Sequence, residues 1–172
     1  MSNSDSNNEY FLEYGLEKDP FASSYTEETF FTTPELQHRL DLAKHLLEFS
    51  QQILFISGLA KVGKTTFSRH LMADCDDEWI FCQIDASNII GPDTLVKALL
   101  RDSPDEINEL YETISALNSY LVSCHVKSQV PILLLDNIDS IGQDSLRFIF
   151  QLKEFKEHET HIRVVLVGQE SF

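Results

Sequence analysis

Positive charge is scarce in this chain. Across 172 residues, Lys and Arg number 13 against 28 Asp and Glu, a formal net charge of −15. A chain this acidic does not draw nucleic acid by long-range attraction, so nucleic-acid partners are not expected. Cysteine is sparse too. Cys75, Cys82 and Cys124 are odd in number and far apart, which excludes a disulfide framework and a cysteine-based metal motif. Their expected use is packing in a reducing compartment. No apolar run approaches the roughly 20 residues of a membrane-crossing helix. The polar start, Met1 to Asn8, lacks the charged-then-apolar order of a secretory leader. The expectation is a cytoplasmic location, extending to the inner face of the cytoplasmic membrane. Hydrophobic residues make up 42% and charged residues 24%, the balance of one soluble domain large enough to bury a useful core.

The most informative stretch is 53–66. The apolar, β-prone run Ile53 to Ile56 stops at a loop matching G-x-x-x-x-G-K-[ST]: Gly58, Leu59, Ala60, Lys61, Val62, Gly63, Lys64, Thr65. Thr66 then opens a helix-competent stretch to Ala73. Strand before and helix after is the setting in which such a loop cradles phosphate. The glycines let backbone N–H groups turn inward, and the helix N-terminus adds unpaired donors and a positive dipole end. Lys64 is expected to reach the β- and γ-phosphates and Thr65 to set its hydroxyl on Mg²⁺. ATP or ADP with Mg is the expected ligand. An accidental glycine turn would not bring both flanking elements.

The rest of the chain is read around that loop. Residues 1–9 are expected to be a disordered tail. Tyr10, Phe11, Tyr14, Phe21, Tyr25, Phe30 and Phe31 crowd an irregular segment, which reads as a hydrophobic strap over the core. The sharper alternative is that part of it lines a base pocket beside the loop. Thr33-Pro34-Glu35 is a helix start, with Leu36, Leu40, Ala43 and Leu47 on one face; His38 and His45 on this helix are read as surface or packing residues. Strap and helix together span 10–50, and the core spans 51–172. Pro92 opens a helix that Ser103-Pro104 breaks. Ile107, Leu110, Ile114, Leu117 and Leu121 form a narrow seam, too short for a coiled coil and suited to a helix packed on a sheet. Leu146, Ile149, Phe150 and Phe155 mark another helix. His158-Glu159-Thr160-His161 shows two ligand-type residues only, and reads as a polar loop and not a zinc site.

The fold expected is α/β: a three-layer sandwich with a mostly parallel sheet of the P-loop NTPase kind, its strands near 52–57, 79–84, 131–136 and 162–167. Pro131 to Leu135 is a buried-strand pattern that ends at Asp136. A carboxylate at the C-terminal end of such a strand holds the magnesium shell in P-loop proteins, which makes Asp136 the candidate metal residue beside Thr65.

The run Tyr14-Gly15-Leu16-Glu17-Lys18-Asp19-Pro20-Phe21, then Thr33-Pro34-Glu35-Leu36-Gln37-His38-Arg39-Leu40, then the loop, resembles the ATPase module of the ExeA/GspA-type AAA+ proteins, in particular its DamX-related members. The likeness covers about residues 10–172. It implies an ATPase with an envelope role, in cell division or secretion assembly, acting as a homo-oligomer or with an envelope protein partner. A longer parent protein would carry a membrane tether. Relatives of this kind place Asp-Glu where this chain has Asp136-Asn137, and the Glu polarises the attacking water. An amide orients water but takes no proton near neutral pH, so tight Mg-ATP binding with slow turnover is expected. Replacing Asn137 with Glu is expected to speed hydrolysis if that carboxylate limits the rate. Asp139 is the nearest spare carboxylate. The resemblance also implies that Gln169, at the end of the fourth strand, senses the γ-phosphate, with Ser171 a weaker candidate. The family module continues with an arginine finger, a fifth strand and a helical lid, so the chain reads as a core cut after the strand that carries Gln169. The alternative function is a non-catalytic switch or scaffold that reads ATP against ADP.

Overall fold

The apolar runs form the centre of the molecule. The computed structural model describes residues 13–15, 30–100, 110–154, 156–157 and 160–170. Within them, β1 (Leu54–Ser57), β2 (Trp79–Asp85), β3 (Val130–Asp136) and β6 (Arg163–Gly168) pair in parallel, in the order β1-β6-β3-β2. Parallel neighbours need long crossovers. These contain α2 (Lys64–Ala73), α3 (Pro92–Leu99), α4 (Leu110–Val126) and α5 (Gln143–Leu152), while α1 (Pro34–Phe49) precedes β1.

Period-two alternation along the central strands sorts the helices into two layers. Ile132 and Leu134 of β3, with Val165 and Val167 of β6, pack against Leu40, Ala43 and Leu47 of α1 and Leu71 of α2. Leu133 and Leu135, with Val164 and Leu166, face Leu95, Leu99, Leu117, Leu121, Ile149 and Leu152 from α3, α4 and α5. The result is the three-layer α/β sandwich. Residues 132–135 are fully buried, and burying each such side chain stabilises the fold by about 1.5–3 kcal/mol.

Local chemistry sets the element ends. Thr33 Oγ1 accepts the Leu36 N–H at 3.2 Å, and Pro34 occupies the first turn of α1. Lys44 of α1 pairs with Asp74 at the end of α2, and Phe30 stacks on His70 with ring centroids 4.0 Å apart. Arg163, at the start of β6, donates to the Glu48 carbonyl at 3.1 Å and lies 5.6 Å over the Trp79 ring. The cysteines are free thiols. Burial pushes the Cys75 thiol up to about 11 against the pull of Lys44, and Cys75 donates to the Leu71 carbonyl at 2.9 Å.

Two local expectations change. Helix α2 begins at Lys64, two residues before Thr66, because Gly63 already accepts the Phe67 N–H at 2.8 Å. The end of the stretch expected as a polar loop, Thr160–His161 (β5), instead pairs antiparallel with Lys156–Glu157 (β4) just before it. The helix expected from Leu146, Ile149 and Phe150 is α5, with Ile149 buried and Phe150 51% exposed. The 1–9 tail, nearly all of the aromatic segment before Phe30, the Ser103-Pro104 break, Ile107, Phe155, His158 and Ser171 lie outside the described residues. Among the described residues, no helix is long and apolar enough to cross a membrane, and no group of three or more His, Cys, Asp or Glu side chains could hold a metal ion.

Candidate functional site

Register brings the strand ends to one level. Ser57 lies beside Gly168, and Asp85 beside Asp136. In open α/β sheets the crevice beyond such carboxyl ends is where ligands bind. Here the loop 58–63 leaves β1 over that crevice and turns into α2. The turn requires left-handed backbone at Lys61 (φ 63°) and Gly63 (φ 93°), and glycine takes that conformation without steric penalty. At Gly58 an added Cβ would lie 3.1 Å from Val62 Cγ2, so Val62 would have to give by a few tenths of an ångström.

Lys64 holds the loop in shape. Its Nζ donates to the carbonyls of Gly58 at 3.1 Å and Leu59 at 2.8 Å. Thr65 Oγ1 donates to Asp136 Oδ2 at 2.7 Å, joining the start of α2 to the end of β3 across 71 positions. Asp136 is 7% exposed, and its Oδ1 accepts the Asn137 N–H at 2.9 Å. These groups line a cleft of about 380 Å³, together with Ala60, Lys61, Gly63, Thr66, Asn137, Asp139, Gly168 and Gln169. Gly58, Leu59 and Val62 lie outside its lining. Gly58 and Leu59 contribute carbonyls to Lys64, while Val62 borders a neighbouring groove of about 500 Å³. That groove is largely apolar, with Phe30, Ala43, Ile56 and Phe67 among its walls, and it shares Gly63, Lys64 and Thr66 with the cleft. Of the aromatic segment, Phe30 reaches the groove, whereas Phe31 is 83% exposed.

The donor set suits a magnesium-bound polyphosphate. An ammonium and the helix N-terminus face the space phosphates would fill. A hydroxyl and a carboxylate supply the hard oxygen ligands that Mg²⁺ prefers.

The far wall holds what the sequence did not reveal. Asn137 adopts φ 57°, ψ 40°, a left-handed conformation that Asn tolerates better than most residues. Its amide turns toward the neighbouring strand and donates to Asp85 Oδ2 at 3.1 Å. Asp85 Oδ1 also accepts the Ser87 hydroxyl at 2.7 Å and the Ser87 N–H at 3.0 Å. Ser87, through both bonds, and then Asn137 hold the Asp85 carboxyl below its usual range. One signal was visible in advance: Asp85 ends its apolar run as Asp136 ends its own. Both Asp139 oxygens accept the Gln169 N–H at 3.1 Å, so the 3₁₀ turn Ile138–Ser140 clasps the end of β6. Gly168 permits that approach, since a Cβ there would lie 2.5 Å from Ile138 Cγ2.

Comparison with known proteins follows the same line. Residues 45–172 match the family described as AAA domain. No curated protein matches the chain. Among solved structures, Cdc6p from Pyrobaculum aerophilum superposes with TM-score 0.68 at 20% identity, over 88% of this chain and 42% of that one. The Aeropyrum pernix ORC2 protein, solved as ADPNP-ADP complexes, gives 0.66 at 14% identity, over 87% and 44%. Drosophila ORC bound to DNA gives 0.67 at 12% identity, over 98% and 45%. The chain thus spans less than half the length of each. At these identities the likeness is one of fold.

Proposed function

This chain belongs to the AAA domain family, and from that premise we propose that it binds Mg-ATP in the cleft between the 58–66 loop and Asp136 and hydrolyses it slowly. The observation that carries the proposal is the 2.7 Å bond from Thr65 to Asp136. It joins the two groups that would share the metal, one from each side of the cleft. In this reading Lys64 grips the β- and γ-phosphates, and loop N–H groups from Gly58 to Thr66 surround them. Bound Mg²⁺ would offset phosphate charge. Gln169, fixed through its N–H at the cleft rim, would report on the γ-phosphate. The adjoining apolar groove, which meets the cleft at Gly63 and Lys64, would take the base.

Calorimetry with Mg-ATP on the wild type and on Lys64→Ala tests this. Charge-assisted hydrogen bonds contribute about 1.5–3 kcal/mol each, so affinity should fall roughly 10- to 150-fold. The melting temperature should hardly move, because among the described residues Lys64 bonds to exposed or half-buried carbonyls of its own loop. Equal affinity in both proteins would refute the assignment.

A specific observation favours a second reading, a non-catalytic switch or scaffold. Asn137 stands where a carboxylate would activate water, and its amide is engaged by Asp85. Phosphate release measured alongside affinity, on this chain and on a longer one, separates the two; binding without release in both favours the switch. The opening motif that includes Tyr14-Gly15 supports an envelope setting of the ExeA/DamX kind, with oligomeric or envelope-protein partners at the cytoplasmic face. The Drosophila relative is bound to DNA, but a net charge of −15 argues against that partner here.

A further inference from the structure

Two carboxylates line the cleft among the described residues, Asp136 and Asp139. Asp136 is committed on both oxygens, Oδ2 to the Thr65 hydroxyl and Oδ1 to the Asn137 N–H, and it is 7% exposed. Asp139 is exposed. Among the described residues its two oxygens share a single donor, the Gln169 N–H, at 3.1 Å each. A carboxylate has about four acceptor directions, so one N–H leaves most of them open to the cleft. Asn137 does not compete for the role: its amide donates to Asp85, and an amide accepts no proton at neutral pH.

We propose that Asp139 is the proton acceptor of this site, taking over from the residue after Asp136 the task of activating water. The inference rests on the proposed ATP hydrolysis. In the step, the water oxygen bonds to the γ-phosphorus, and the bond from that phosphorus to the β,γ-bridging oxygen breaks. ADP leaves with that electron pair, and a water proton passes to an Asp139 oxygen and later to solvent. Products are ADP and inorganic phosphate. The same carboxylate fixes the end of β6 through Gln169, so water activation and γ-phosphate sensing share one anchor. Gly168 and Ile138 set its position, because the backbone at Gly168 runs too close to Ile138 Cγ2 for any side chain.

Asp139→Asn separates proton acceptance from positioning, since its amide oxygen still accepts the Gln169 N–H. Single-turnover cleavage of Mg-ATP should slow about 100-fold or more, the lower range for a lost general base. Mg-ATP affinity should stay within about 3-fold, since the group acts only as the bond breaks. Hydrogen exchange at the Gln169 amide, read without nucleotide, should be unchanged in Asp139→Asn and faster in Asp139→Ala. Wild-type cleavage by Asp139→Asn overturns the inference. So does a rate loss that merely tracks lost affinity or a loosened Gln169 amide, which would make Asp139 a positioning residue. If the wild type binds Mg-ATP but never cleaves it, the inference fails and the binding reading stands. If it binds none, the site reading itself fails.

Discussion

Gly168→Ala tests how tightly the two walls of the cleft are fitted. The backbone at Gly168 is not left-handed, so a side chain is excluded by space alone. The new Cβ would lie 2.5 Å from Ile138 Cγ2, 3.4 Å from Asp139 Oδ1 and 3.5 Å from Phe55 Cε2. Carbon atoms settle at about 3.5–4.0 Å, so roughly 1 Å must open. Ile138 cannot yield: it is fully buried, and its branched Cβ restricts χ1. The strand end must therefore shift, carrying Gln169 away from Asp139. Overpacking of this kind costs about 1–3 kcal/mol, and stiffening of the unfolded chain returns only about 0.4–1 kcal/mol. For a chain of this length the melting temperature should drop about 2–8 °C. Circular dichroism melts should be run in the wild type and in an Ile138→Ala background, where Cγ2 is gone. The expected result is a clear loss in the first and little or none in the second. An equal loss in both, or none in either, refutes the steric argument.

Three further outcomes are expected. Asn137→Glu places a second carboxylate beside Asp85 and puts a less tolerant residue at φ 57°. It should destabilise by about 1–2 kcal/mol at pH 7, and less near pH 4, where protonation relieves the repulsion; denaturant titrations at the two pH values check this. Asp136→Asn should cut the Mg²⁺-dependent gain in ATP affinity about 10-fold or more while leaving metal-free affinity nearly unchanged, as titrations with and without Mg²⁺ would show. The Cys75 thiol is raised from 9.0 to about 11, so its thiolate should be about 100-fold rarer than in the unfolded chain at pH 8, and alkylation followed by mass spectrometry should be correspondingly slow. A raised folded value also means that the stability linked to this thiol is fully present below pH 9 and fades as pH rises toward 11.

The two central strands, β3 and β6, were legible because they are buried on both faces. Residues 131–135 read as one apolar run, and such runs announce strands of a parallel sheet. Thr33 marked the start of α1 because its side-chain bond is local in sequence. The loop was legible from the spacing of Gly58, Gly63, Lys64 and Thr65, and Asp136 from its place at the end of the 131–135 run. The Asp85–Asn137 bond was not, since it depends on register between strands 52 positions apart. Nor was the Asp139–Gln169 clasp, which depends on a glycine chosen for closeness and not for turning. The β4–β5 pair, two residues per strand, is too short to leave a periodic signal.

The grip of Lys64 on the Gly58 and Leu59 carbonyls has a thermodynamic corollary. These two bonds form before anything arrives, so the part of the ordering they fix is charged to folding and not to association. Ligand capture should then show a small entropic penalty and little change in heat capacity from the bend itself. Selectivity would come from whether an incoming anion offers the ammonium more than two backbone oxygens already do.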